Sequence, residues 1–460
     1  MRVLIAPDSF KGSLDAAAVA AALAEGWLSV RPGDQVTRLP LADGGEGTLD
    51  VLAAMVPGAR WHRARVTGPG GAPVIARWLE LPAGPPGQPR QGRGNGAPGG
   101  SPGRGQNSAP RWPAVRPAPV PRGSGAAATS RGLPPLGAKT AVVELARASG
   151  LPLLARPDPM GAQTTGLGEL LGRALDAGAG KILIGLGGSA ATDGGTGALA
   201  ALGARFLDAA GEPLPPGGGA LAELARVDLS GLRGRPGSGA MCLTDVTAPL
   251  LGARGAAVVF GPQKGADGEQ IARLEAGLAR LAEMLGGDSE AAGAGAAGGT
   301  GYGLAAAWGA ELVPGAVEVA RVAGLDRALA GADLVITGEG RFDETSLTGK
   351  TCGTVIAAAA AAGVPVAVVA GQVSDGLAVL ARGSTGPSGG HPRTPDGPGP
   401  PWRPAAPSDG APGAVPALTG VVTLAGLAGD AAAAMAGPRR WLRAAGGRLA
   451  RDAGAESSPG

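Results

Sequence analysis

Five lysines stand against 35 arginines in this chain, so a lysine is an exception wherever it occurs. Lys139 and Lys181 precede apolar runs, where a solvated strand end accounts for them. Lys11, Lys264 and Lys350 each lie in a glycine-containing loop. An ammonium is a compact point charge, suited to phosphate or carboxylate and not interchangeable with guanidinium. Acids share these loops and others like them: Asp8 beside Lys11, Asp43 and Glu46 in DGGEG, Asp193 in GLGGSAATDGG, and Glu339 and Asp343 in GEGRFDE. A few carboxylates together with substrate phosphates suit Mg²⁺. Glycine permits close backbone approach, and helix N-termini offer free N–H groups to anions. The combination points to phosphate and magnesium chemistry. The two histidines, His62 and His391, are too few for a Ser-His-Asp triad or a His-ligated metal. Any general base must be a carboxylate or a lysine.

Two stretches invite familiar phosphate motifs. GEGRFDETSLTGKT (338–351) ends in Gly-Lys-Thr, but a P-loop needs glycine where Glu344 stands and a strand ending directly before it. The apolar run LVIT ends about ten residues too early for that motif. What survives is an anion site at Lys350 and Thr351, where a helix begins. GLGGSA places Ala190 where a dinucleotide loop has its third glycine. No acid ends a second strand about twenty residues on, so a nicotinamide or flavin enzyme fits poorly.

The elements that must position these groups repeat one pattern: a short β-branched run, a Gly/Asp/Ser loop, then an Ala/Leu-rich helix. VLIAP (3–7), VTRLPLA (36–42), KILIGL (181–186) and ADLVIT (332–337) are the clearest strands, with VPVAVVAG and GVVTLAGLAG as two more. Ser13 is the expected N-cap of the first helix. Strand and helix in alternation predict an α/β fold, a doubly wound parallel sheet of Rossmann-like kind, with ligands beyond the carboxyl ends of its strands.

Two Pro/Gly-rich stretches interrupt the pattern, at 83–137 and 382–416, and both are read as disordered insertions. The first carries seven arginines and no acid, which leaves the remainder at −4 against +3 for the whole chain. The high pI of about 9.2 therefore belongs largely to this insertion, and nucleic acid is rejected as a main partner. Two cysteines, Cys242 and Cys352, offer no disulfide framework. MRVLIAPDSF is no signal peptide, and VIAAAAAAGVPVAVVAG, broken by Gly363 and Pro365, is too short to span a bilayer. A cytoplasmic protein with no membrane partner is expected.

APDSFKGSL (6–14), PLADGGEGT (40–48), GLGGSAATDGG (185–195), DVTAPLLG (245–252), VFGPQKGA (259–266) and GADLVITGEGRFDETSLTGKT (331–351) together resemble the bacterial glycerate kinases. The resemblance covers nearly all of the chain outside the insertions, in the family's order. It implies a two-domain α/β enzyme that phosphorylates D-glycerate with ATP and Mg²⁺, with 2-phosphoglycerate favoured over 3-phosphoglycerate. It also implies a second α/β domain (61–294) nested in a Rossmann-like one (1–60 and 295–455). Ala191-Thr192 and Ala248 depart from the Thr-Asn and Asn usual there.

On this reading Asp43, Asp193, Asp343 and Lys11 are catalytic. Asp8, Ser9, Glu46 and Arg341 bind the acid, the last through its guanidinium fork. Gly187, Gly188, Ser189, Lys264, Lys350 and Thr351 hold the nucleotide, and Asp193, Glu339 and Asp343 the metal. Kinases of other hydroxy acids, and a catalytically lapsed binding or regulatory protein, are the alternatives.

Overall fold

The structure, a computed structural model, describes residues 1–83, 138–347, 349–377 and 418–455. Both expected insertions fall outside these, apart from Ala83. The first sheet is five-stranded and wholly parallel, in the order β13-β12-β11-β1-β2. Its strands are Arg2–Ile5 (β1), Gln35–Arg38 (β2), Leu334–Phe342 (β11), Val366–Val373 (β12) and Leu418–Thr423 (β13). The second sheet has the order β10-β9-β6-β5-β4-β3. It comprises Arg60–Thr67 (β3), Pro73–Leu81 (β4), Thr140–Glu144 (β5), Lys181–Gly185 (β6), Ala240–Leu243 (β9) and Glu311–Val313 (β10). β3, β4 and β5 pair antiparallel, and the others parallel. A ribbon of Arg205–Leu207 (β7) and Arg226–Asp228 (β8) stands apart.

Strand alternation divides the first sheet's side chains between two covered faces. Val3 and Ile5 join Trp27, Leu442 and Ala445 of the helices Ala16–Val30 and Pro438–Ala455. Leu4 and Ala6 join Val355 and Ile356 of the helix Thr351–Ala362 on the other face. The two helices behind the first face cross closely, because Gly26 lies where a Cβ would come within 2.0 Å of Arg443 O. A parallel sheet buried on both faces is the doubly wound arrangement.

Three local readings change. The first helix is capped by Asp15, whose Oδ1 accepts from Ala18 N at 2.7 Å, while Ser13 Oγ donates to Phe10 O. β11 does not stop after LVIT. It runs on through Gly-Glu-Gly-Arg-Phe because β12 continues alongside it, Arg341 facing Gln372. The return to the first sheet comes after Val313, later than residue 294, since β10 pairs with β9 through Glu311 and Met241.

The two sheets are joined by an apolar cluster to which both contribute. Leu49 and Leu52 of the helix Thr48–Met55 and Val319 of the helix Gly315–Ala323 pack with Val142, Leu183 and Leu243 of the second sheet. This contact brings the carboxyl ends of strands from both sheets toward one another.

The first insertion leaves and rejoins the fold where β4 and β5 are paired, Leu81 facing Thr140. Beside that neck Glu80, its side chain only 4% exposed, meets Lys139 Nζ at 2.7 Å, Arg60 and His62. Burial alone would raise the Glu80 carboxyl, but Lys139 and Arg60 outweigh it and hold it down at about 2. A depressed carboxyl stabilises the fold above its ordinary value of about 4.5, and that contribution disappears as pH falls toward 2. Glu80→Gln is expected to lower the unfolding free energy at pH 7 by roughly 2–3 kcal/mol. Denaturant titrations should show the gap to wild type narrowing steadily below pH 4.5.

Candidate active site

The acids and Lys11 sit on or just beyond the carboxyl halves of strands, and Lys350 stands at the start of the helix Thr351–Ala362. Asp8 follows β1, Asp43 follows β2, Glu339 lies near the end of β11, and Asp245 follows β9 of the second sheet. The loops that carry them meet backbone to backbone. A Cβ on Gly315 would come within 2.1 Å of Asp43 O, and one on Gly187 within 2.6 Å of Gly45 Cα. Side chains larger than hydrogen at these positions would push the two units apart.

Asp8 is buried. Its Oδ1 accepts from Ser9 N at 2.6 Å and its Oδ2 from Thr351 Oγ1 at 2.7 Å. Burial and the charge of Asp43 raise its carboxyl above the usual range. Asp43 Oδ1 accepts from Gly45 N at 2.9 Å, and its Oδ2 lies 3.5 Å from Lys11 Nζ. Asp43 in turn raises the Lys11 ammonium. Burial raises Glu339, whose Oε1 has no hydrogen-bond partner. Burial, then Asp43, pushes Asp245 up to about 7. Asp245 Oδ1 accepts from Gly315 N at 2.8 Å and Ala316 N at 3.3 Å, while its Oδ2 is buried and unpartnered.

Two cavities of about 400 Å³ each adjoin these groups. The first is rimmed by Asp8, Ser9, Lys11, Asp43 and Glu339, with Leu424, Ala434 and Met435 on an apolar side. The second lies between Asp245, Thr247 and Arg254 on one side and Thr345 and Lys350 on the other. Lys350 lines both, and its Nζ donates to Thr345 Oγ1 at 2.7 Å.

Several expected site residues are placed elsewhere or already engaged. Asp193 is fully buried, and its oxygens accept from Thr164 N and Oγ1, Gly195 N and Gly197 N. Lys264 is buried too. It donates to Ala191 O and to Thr192 Oγ1 (3.3 Å), and burial lowers it to about 8. Both therefore fasten the third glycine loop from within. Ser189 in that loop is buried, its Oγ accepting from Ala191 N, and Gly188 has φ +76°.

Asp343 is held low by Thr345, whose N and Oγ1 donate to its Oδ1, and Arg341 Nε lies 3.8 Å from its Oδ2. Glu46 is exposed and lines neither cavity. Thr351 has its hydroxyl on Asp8. The metal set Asp193, Glu339 and Asp343 is not brought together: among the described residues no three His, Cys, Asp or Glu could share an ion. Asp245 lines the second cavity and shares the strand-then-acid signal of VLIAP-Asp8, since it follows AMCL by one residue. The apolar wall at 424–438, far along the chain, had no signal of its own.

The family model described as the glycerate kinase family matches residues 3–85 and 123–386. The chain belongs to the glycerate kinase family. It is 39% identical over 394 residues to a glycerate kinase of Bacillus subtilis (strain 168), covering 83% of this chain and 88% of that protein. To the glycerate 2-kinase of Escherichia coli (strain K12) it is 37% identical over 388 residues, covering 83% and 87%. A solved structure from Salmonella typhimurium LT2, assigned as a glycerate kinase 2, superposes with a TM-score of 0.68 at 33% identity over 99% of this chain and 98% of that one. Membership makes this family member a kinase, a phosphotransferase, and implies ATP as donor. Among the described residues no helix is long and apolar enough to cross a membrane.

The hydrogen bonds around Asp193 give a test that separates a scaffold role from a chemical one. An amide in place of the carboxylate has one accepting oxygen for N–H and O–H donors that now share two. Asp193→Asn should lower the unfolding free energy by about 1–3 kcal/mol, measured by denaturant titration. Wild-type stability with a large loss of turnover would instead put Asp193 in the chemistry.

Proposed function

We propose that this kinase transfers the γ-phosphoryl of ATP to the 2-hydroxyl of D-glycerate, giving 2-phosphoglycerate, with Mg²⁺ on the phosphates. The observation that carries the reading is the gathering of Asp8, Asp43 and Glu339 with Lys11 and Lys350 around strand ends, where doubly wound folds bind their ligands. Phosphoryl transfer asks for positioning and charge neutralisation more than covalent chemistry. The name of the Escherichia coli relative, a glycerate 2-kinase, supports the 2-position.

The residues present fit Mg²⁺. The buried Oε1 of Glu339 has no partner, and burial, then Asp43, raises the Asp8 carboxyl, so a bound cation would stabilise the charged form of both. Asp8 and Glu339 would hold the ion, with phosphate oxygens completing its shell. Bound there, it would neutralise charge on the phosphates. Thr351 fixes the Asp8 carboxylate by its 2.7 Å hydrogen bond. Lys11 and Lys350 bring ammonium groups to phosphate oxygens, with Asp43 orienting Lys11. The Gly187–Gly188–Ser189 loop stays in the proposal as backbone close to the nucleotide. Asp343 and Arg341, paired with each other, shape the rim. A reducing cytoplasm is the compartment we propose for the buried free thiols Cys242 and Cys352.

Incubation with ATP, Mg²⁺ and D-glycerate followed by ³¹P NMR tests this directly. A product phosphorus split into a doublet by one methine proton is expected, with L-glycerate slower by at least about a hundredfold. A triplet from a methylene would assign 3-phosphoglycerate and overturn the regiochemistry.

A further inference from the structure

Two groups stand out in the walls of the second cavity, Arg254 and Asp245. Arg254 is exposed and forms no ion pair among the described residues. Asp245 keeps one carboxylate oxygen buried without a partner, while backbone N–H groups of Gly315 and Ala316 hold the other. Lys350 lines both this cavity and the first.

We propose that the second cavity is the acceptor subsite, in which Arg254 binds the carboxylate of a small 2-hydroxy acid and Asp245 Oδ2 accepts the proton of its hydroxyl. This rests on the kinase reading above and deepens it by assigning one cavity to each substrate. The first cavity suits the nucleotide, since Phe10, Leu424, Ala434, Met435 and Pro438 give it an apolar side for a base. Met435, 60% exposed, is the most open part of that side. A three-carbon hydroxy acid, polar at almost every atom, needs no such wall. It needs a guanidinium fork, which takes a carboxylate bidentately, and an oxygen that can receive a proton.

In the transfer, the hydroxyl oxygen forms a bond to the γ-phosphorus and the bond from that phosphorus to the bridging oxygen of ADP breaks. The hydroxyl proton passes to Asp245, and ADP leaves with the electron pair of the broken bond. Lys350, common to both cavities, lies between donor and acceptor. Asp43 is less suited as base because both its oxygens are engaged, by Gly45 N and Lys11. The groups that act on Asp245 are Asp43 and Asp8 from the first sheet, with Lys350 and Arg254 lining the same cavity. Burial first, then Asp43 and Asp8, opposed by the hydrogen bonds from Ala316 N and Gly315 N, leave its carboxyl at about 7, close to an operating pH.

Steady-state kinetics and calorimetric binding of D-glycerate and ADP to the full chain test the assignment. Arg254→Ala should raise KM and Kd for the hydroxy acid at least about tenfold, with Arg254→Lys recovering part of the loss and ADP affinity staying within about twofold. Asp245→Asn should lower kcat by about a hundredfold or more with ADP binding retained. It should also abolish the rise of kcat/KM with pH through about 7. The assignment is overturned if Arg254→Ala weakens ADP instead of the acid, or if Asp245→Asn turns over normally. Should wild type bind and phosphorylate a different 2-hydroxy acid, with the same response to Arg254→Ala, the subsite stands and the glycerate reading falls. No binding of any small hydroxy acid sinks both.

Discussion

Four carboxylates, Asp8, Asp43, Asp245 and Glu339, come together where the ends of two sheets face each other, and that concentration of like charge is the constraint the rest of the structure answers. Three of them are raised by burial, and Asp43 adds to the repulsion on Asp8 and Asp245. A cluster of this kind costs stability unless cations compensate it. Lys11 supplies one charge at 3.5 Å from Asp43, and Lys350 lines both cavities. A divalent ion would relieve the remaining excess of negative charge.

Holding such a cluster together requires a rigid frame. The apolar contact that unites Leu49, Leu52 and Val319 with Val142, Leu183 and Leu243 supplies it. The glycines nearby serve the same end. Gly315 and Gly187 allow backbone from one unit to lie against backbone of the other, so part of the glycine richness that suggests phosphate binding is used for docking the two units. Asp193 and Lys264 extend this logic. They secure the third loop from inside through their hydrogen bonds to Thr164, Gly195, Gly197, Ala191 and Thr192.

The fold class was legible because the strand-helix alternation is strong and the strands are short apolar runs. The candidate site was legible to the extent that strand ends announce it: Asp8, Lys11, Asp43 and Glu339, on or just after apolar strands, line one cavity together with Lys350 from the next helix start. What sequence could not separate is an acid that faces a cavity from one that caps its own loop. Asp193 in TDGG and Asp43 in ADGGEG look alike as text, yet one is sealed among four donors and the other lines the cavity. Arg341 and Asp343 carried the same ambiguity and pair with each other. The wall from Leu424 to Pro438 depends on a chain end returning to the first helix, through Gly26 and Gly446, which no local pattern encodes. The two Pro/Gly-rich stretches lie outside the described residues. The family match passes over residues 86–122 of the first, and its neck at Leu81 and Thr140 is an ordinary strand pairing.

The central claim is that Asp8 and Glu339, not Asp193, are the acids that meet the metal on the nucleotide phosphates. The most direct measurement is Mn²⁺ binding by EPR in the presence of a non-hydrolysable ATP analogue, comparing wild type with Asp8→Asn and Glu339→Gln variants that keep the native near-UV circular dichroism. The account predicts that each variant binds Mn²⁺ at least about tenfold more weakly. Wild-type Mn²⁺ affinity in both would contradict it.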